Sequence, residues 1–123
     1  MTTKLAVPTD DGETISRHFG QAKYFRVITL ENDQTARSEM REKASHQHGD
    51  HSHPAGIHPG QQMIEVISDC QVLVCGGMGT PAYNRVVAAG LRVILTRQLS
   101  IDTAVQAYLL GTLNNEPNLV HTH

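Results

Sequence analysis

Apolar positions along the chain fall into short runs separated by polar breaks, and their spacing changes midway. Lys4 to Pro8 (KLAVP) is a short apolar run closed by proline, as a buried strand is. Thr9 to Gly12 follows as a turn cluster, and Ile15 to Ala22 (ISRHFGQA) has room for one helical turn. Tyr24 to Leu30 is rich in β-branched and aromatic residues and predicts a second strand. Glu31 to Gln34 is turn chemistry. Thr35 to Glu42 then alternates, with Ala36, Ser38 and Met40 on one face and Arg37, Glu39 and Arg41 on the other. This pattern predicts a hairpin partner near a sheet edge, one face wet. From Ala44 to Gly60 no apolar period exists, which predicts a mobile surface loop.

Beyond that segment the period becomes regular. Met63, Ile64 and Ile67 stand at helical spacing within Gln61 to Asp69, and Val72 to Cys75 (VLVC) is a wholly apolar strand. Thr80 is placed to cap a helix with Pro81 at its start, apolar Tyr83, Val86 and Val87, and Gly90 past its end. Arg92 to Leu95 supplies another strand. Ser100 caps a last helix whose Ile101, Ala104, Val105, Tyr108 and Leu109 form one stripe, stopped by Gly111. The polar tail, 114–123, is expected to fray. The order β-β-β-α-β-α-β-α contains a right-handed parallel βαβ unit. Pairing the first strand with VLVC gives a mixed five-stranded α/β sheet with helices on its faces, in a single domain spanning 1–123.

Composition narrows the function classes. Ten basic residues against 12 acidic ones, a net charge of −2, argue against a general nucleic-acid binder. No apolar run approaches a membrane span or a signal-peptide core. Two cysteines make no disulfide framework, so a reducing cytoplasm is the expected setting. Cys70 and Cys75 flank a strand and stand roughly 16 Å apart, too far for a disulfide or a shared metal. Eight histidines are the one anomaly.

Open α/β sheets bind ligands beyond the carboxyl ends of parallel strands. Two segments leave such ends: Pro8 to Gly12 running on to Ser16-Arg17-His18-Phe19-Gly20, and Cys75-Gly76-Gly77-Met78-Gly79. Glycines there let backbone approach a ligand, and the following helix presents free N–H groups that favour an anion. A tight turn explains the same glycines. Gly77, Gly79 and Ala82 also match G-x-G-x-x-A, but Arg97 stands where a dinucleotide site needs an acid. His18 can ligate a metal at the crevice or lie on the surface, and Arg17 can hold an anion. Cys75 is either a soft thiolate at the rim or a small core residue, whereas Cys70 reads as core. His46, His48, His51, His53 and His58 form a flexible tract that suits Zn²⁺ or Ni²⁺, or else a solvated low-complexity loop. No G-x-S-x-G elbow, P-loop or H-E-x-x-H pair occurs, and the acids near Asp10 lack partners on the neighbouring strand; enzyme readings rank low.

Four stretches together, KLAVPTDDG, ISRHFGQAKYFRVI, VLVCGGMGTPAYNRVVAAGLRVI and SIDTAVQAYLLGTL, resemble the dinitrogenase iron–molybdenum cofactor biosynthesis family, which contains NifX, NifY and the C-terminal part of NifB. The resemblance covers nearly the whole chain except the His tract and the tail. It implies a ribonuclease H-like three-layer fold and a non-catalytic carrier that binds a metal–sulfur cluster, receiving it from a donor protein and passing it to an acceptor. It also implies that His18 contacts the cluster and that Gly76, Gly77 and Gly79 border the same cleft. The radical-SAM part of NifB has no counterpart here, so cluster synthesis is not expected. The expected site is Arg17, His18, Cys75, Gly76, Gly77, Met78 and Gly79. The alternatives are a divalent-metal buffer or sensor working through the His tract, and a nucleotide-binding domain using the glycine loop.

Overall fold

The computed structural model describes residues 2–19, 22–32, 34–42, 64–116 and 119–121. Its first strand, β1 (Thr2–Thr9), buries Leu5 to Thr9 completely enough to lie inside a sheet. It pairs antiparallel with β2 (Tyr24–Glu31), which pairs antiparallel with β3 (Gln34–Glu42). On its other side β1 runs parallel to β4 (Val72–Cys75), and β4 runs parallel to β6 (Arg92–Leu95). The main sheet is therefore ordered β3-β2-β1-β4-β6. This is the mixed five-stranded arrangement that the apolar runs predict, with VLVC beside the first strand.

Side-chain alternation divides the core in two. On one face Ala6, Phe25, Val27, Leu73, Cys75 and Val93 pack with Ile64, Ile67 and Val86. That face is covered by the helical turn 64–66 and by helix α1 (Thr80–Ala88). On the other face Leu5, Val7, Ile28, Val72, Val74 and Ile94 pack against Ile101, Ala104 and Val105 of helix α2 (Ile101–Leu110). Helices thus lie on both sides of the sheet. Among the described residues no helix is long and apolar enough to cross a membrane.

The punctuation of α2 follows its sequence. The Ser100 hydroxyl accepts from the Thr103 N–H at 3.3 Å, and Gly111 ends the helix with φ +74°. That left-handed turn is open to glycine at no steric cost. In α1 the cap is Gly79 rather than Thr80, so the cap position offers no side-chain hydrogen bond, and Val87 is exposed while Val86 is buried.

The Ile15 to Ala22 stretch closes one helix-type turn, the Ala22 N–H donating to the His18 carbonyl at 3.2 Å, while its leading N–H groups bond outward, Ile15 to the Leu99 carbonyl at 2.7 Å and Ser16 to the Pro8 carbonyl at 2.8 Å. The region 61–69 is helical over 64–66 and turn over 67–69, with 61–63 lying outside the described residues. Two further expectations need correction. First, β3 has no covered face: residues 34–40 are all exposed and Arg41 is half-buried. Finally, the tail does not fray through 116. Asn115 Oδ1 accepts from the Leu95 N–H at 2.9 Å, and the Glu116 N–H donates to the Leu95 carbonyl at 2.7 Å. Val120–His121 (β7) then pairs parallel with Met78–Gly79 (β5).

Candidate functional site

Where β1, β4 and β6 end, three loops converge. Residues 10–19 leave β1, Gly76 and Gly77 leave β4, and Thr96–Leu99 leave β6. Backbone hydrogen bonds lock them together. The Gly76 N–H donates to the Ser16 carbonyl at 2.9 Å, the Phe19 N–H to the Gly77 carbonyl at 3.0 Å, and the Thr96 N–H to the Cys75 carbonyl at 2.9 Å. Gly76 is required by this approach. A Cβ there would sit 2.7 Å from the Ser16 carbonyl oxygen and 3.0 Å from the Arg17 Cα.

Between the loops lies a cleft of about 380 Å³ lined by Ile15, Arg17, His18, Gly76, Thr96, Arg97, Gln98, Leu99 and Leu119. The size suits a small ligand. Arg17 and His18 are exposed between two buried anchors, Ile15 and Phe19. The Phe19 ring packs on Phe25 with centroids 5.7 Å apart. The Ser16 hydroxyl accepts from the His18 N–H and donates to the His18 carbonyl, both at 3.1 Å, which holds the backbone of the loop in a turn. Arg97 brings a second guanidinium and pairs with Glu116 at 3.5 Å, its own side chain 68% exposed. Such an exposed pair is weak and exchangeable.

Upstream, Asp11 organises the start of the same loop. Its carboxylate accepts from the Thr14 and Glu13 N–H groups at 2.8 Å each, and from the Thr14 hydroxyl at 2.9 Å. These bonds, the Thr14 N–H first, lower its pKa from 3.8 to about 2. Asp11 is a structural hub of the turn.

Of the expected site residues, Arg17, His18 and Gly76 come together in the cleft. The others lie elsewhere. Cys75 is wholly buried, and its thiol donates to the Gly77 carbonyl at 3.0 Å, so it is not at the rim as a soft ligand. Gly77 and Met78 are buried, and Gly79 sits opposite His121 in the β5–β7 pair. Thus α1 does not present its N-terminus to the cleft across an open glycine loop. Cys70 is core, as expected, and burial pushes its thiol up to about 12. Both cysteines are free of disulfides. His46, His48, His51, His53 and His58 lie outside the described residues, among which no group of three or more His, Cys, Asp or Glu is placed to hold a metal ion.

Sequence reasoning missed the third rim loop, Thr96 to Leu99, and Leu119. The first was within reach: β6 is a parallel strand, and its carboxyl end belongs to the same rim as those of β1 and β4. Nothing in the polar tail pointed to Leu119.

A mixed α/β sheet with a cation-flanked cleft at the carboxyl ends of its parallel strands is the class of domain these features define. The chain belongs to the dinitrogenase iron-molybdenum cofactor family, whose model matches residues 1–111. It is similar to the protein NifX of Sinorhizobium fredii, 31% identical over 97 aligned residues, the match covering 74% of this chain and 58% of that NifX. It is also 26% identical over 113 residues to an uncharacterized protein of Methanocaldococcus jannaschii, spanning 89% of this chain and 88% of that protein. Among solved structures, the apo form of the orange protein of Desulfovibrio gigas shares the fold with a TM-score of 0.71 at 22% identity, covering 93% of this chain and 92% of that one.

Proposed function

We propose that this chain, a single domain on the ribonuclease H-like fold that the family resemblance implies, carries a metal–sulfur cluster of the iron–molybdenum type or a related one. The cargo sits in the cleft between the three rim loops. One observation carries the reading: the cleft brings Arg17, His18 and Arg97 to one opening, and its described lining contains no carboxylate. Metal–sulfur clusters are anionic, so guanidinium and N–H donors suit their sulfides while an imidazole suits their metal. Membership of the family supports the same direction.

In this reading the chain performs no catalysis. His18 lends a ligand or a hydrogen bond, Arg17 and Arg97 balance charge, and Ile15, Leu99 and Leu119 shield one side from water. Gly76 lets the loops close up behind the cargo. The Cys75 and Gly77 carbonyls tie the loops together by accepting from Thr96 and Phe19. A ligand held by one imidazole and exposed cations can be handed on, which fits a carrier between a donor and an acceptor protein.

The test is anaerobic titration with a synthetic thiomolybdate or iron–sulfur cluster, followed by visible absorption and by metal and sulfide content. Stoichiometric uptake, reduced by Arg97→Ala and Arg17→Ala, is expected. Failure of the parent chain to retain any such cluster refutes the reading.

A further inference from the structure

The two edges of the sheet are finished differently. At β6 the outer N–H and carbonyl of Leu95 are taken by Asn115 and Glu116 of the same chain. At the opposite edge, β3 has β2 on one side and no other strand among the described residues. An edge strand with no further strand beside it among the described residues is a template for strand addition.

We propose that β3 pairs antiparallel with β3 of a second copy of this chain, about a two-fold axis through Ser38. The argument is charge complementarity in one register. A two-fold axis normal to the sheet keeps faces matched, so residues of equal parity oppose each other. With Ser38 on the axis, Arg37 faces Glu39 of the second copy, Glu39 faces its Arg37, and Ala36 faces its Met40. Opposite charges directly across two strands stabilise the pair, and like charges oppose it.

Neighbouring registers are worse. Centring on Glu39 sets Glu39 against Glu39 and Arg37 against Arg41. Centring on Met40 requires Arg41, which is already held by Asp69 at 2.7 and 3.0 Å and by the Val66 carbonyl at 2.8 Å. The Arg37 and Glu39 side chains, by contrast, stand on an exposed strand, and among the described residues Glu39 bonds its in-chain neighbour Arg41 at 3.3 Å.

A bulge limits the contact. The β2–β3 register passes from Arg37↔Thr29 to Thr35↔Leu30, leaving Ala36 as the extra residue. Regular pairing therefore stops one residue beyond the Arg37–Glu39 rung, and both copies use the same edge. The result is a closed dimer, not a growing ribbon.

The experiment is light scattering coupled to size exclusion over a concentration series of the full chain, with EDTA present to prevent bridging by metal. The parent is expected to dimerise. Arg37→Glu and Glu39→Arg each place like charges across both rungs and should raise the dissociation constant about tenfold or more. The double variant restores opposite charges and should recover the dimer. Ser38→Cys should form an intermolecular disulfide on mild oxidation, because the two residues 38 share the axis. All three positions are exposed, so circular dichroism should show every variant folded. A parent monomeric up to about 1 mM overturns the proposal. So does a dimer that both single reversals leave intact, or one that the double variant fails to recover.

Discussion

Gly76 is the tightest fit in the molecule's rim, since any side chain there runs into the Ser16 and Arg17 backbone and not into a pliable neighbour. Gly76→Ala is expected to cost about 1–3 kcal/mol, the usual scale of overpacking. Thermal unfolding checks this, with Gly79→Ala as the contrast, since a Cβ there meets only Pro81 at 3.7 Å. The Asp11 carboxylate gives the turn a pH dependence. Its pKa is lower folded, about 2, than the ordinary 3.8, so its stabilising effect is complete above pH 4 and is lost as pH falls toward 2. Asp11→Asn should flatten the stability curve in that window, measured by urea midpoints from pH 5 to pH 2. The thiols follow burial. Cys70 and Cys75 should resist a thiol reagent while folded and both react in denaturant. Two slow native thiols that become fast on unfolding are the expected count; rapid native reaction of Cys75 contradicts its inward placement.

At the scale of elements, local pattern predicted what local forces decide. Residues of β1, β2, β4, β6 and α2 carry their own periodicity and punctuation, so their positions were legible to within a residue or two. Ser100 illustrates it: the hydroxyl at the helix start and the αL glycine at its end are purely local devices. Ser100→Ala should destabilise the fold by about 1 kcal/mol, read from denaturant unfolding. The stretch from Ile15 was harder. Eight residues are too few to nucleate a helix alone, and beyond one turn its N–H groups found partners on Pro8 and on Leu99, the latter far away in sequence. The tail failed for the same reason. Its polar composition hides that Leu119 and Val120 pack against the core and that Asn115 and Glu116 finish the β6 edge. Truncation after Leu113 should therefore lower the melting temperature and speed amide exchange at Leu95. Unchanged exchange there contradicts the docking of the tail.

For the molecule as a whole, strand order made the site legible and loop contacts made it specific. The parallel β1–β4 pair, inferred from KLAVP and VLVC, already placed the His18 loop beside the glycine loop. Which side chains face the opening could not be read from pattern. Cys75 ends its strand on the core face while Gly76 turns to the rim, one residue apart. The third loop, with Arg97, comes from β6, whose carboxyl end completes the crevice. The His tract follows β3 in sequence, and β3 is the edge strand opposite β6. Deleting His46 to His58 is accordingly expected to spare a cluster bound near His18, checked by metal and sulfide analysis of the deleted chain.

The central claim is that the cleft holds the cargo and that His18 touches it. Its most direct test is anaerobic cluster titration of the parent and of His18→Ala, followed by visible absorption, with circular dichroism confirming equal folding. His18 is exposed, so its removal should leave the fold intact and weaken cluster binding by roughly tenfold or more, the scale of one charge-assisted contact. Equal retention of the cluster by the two proteins would contradict the account.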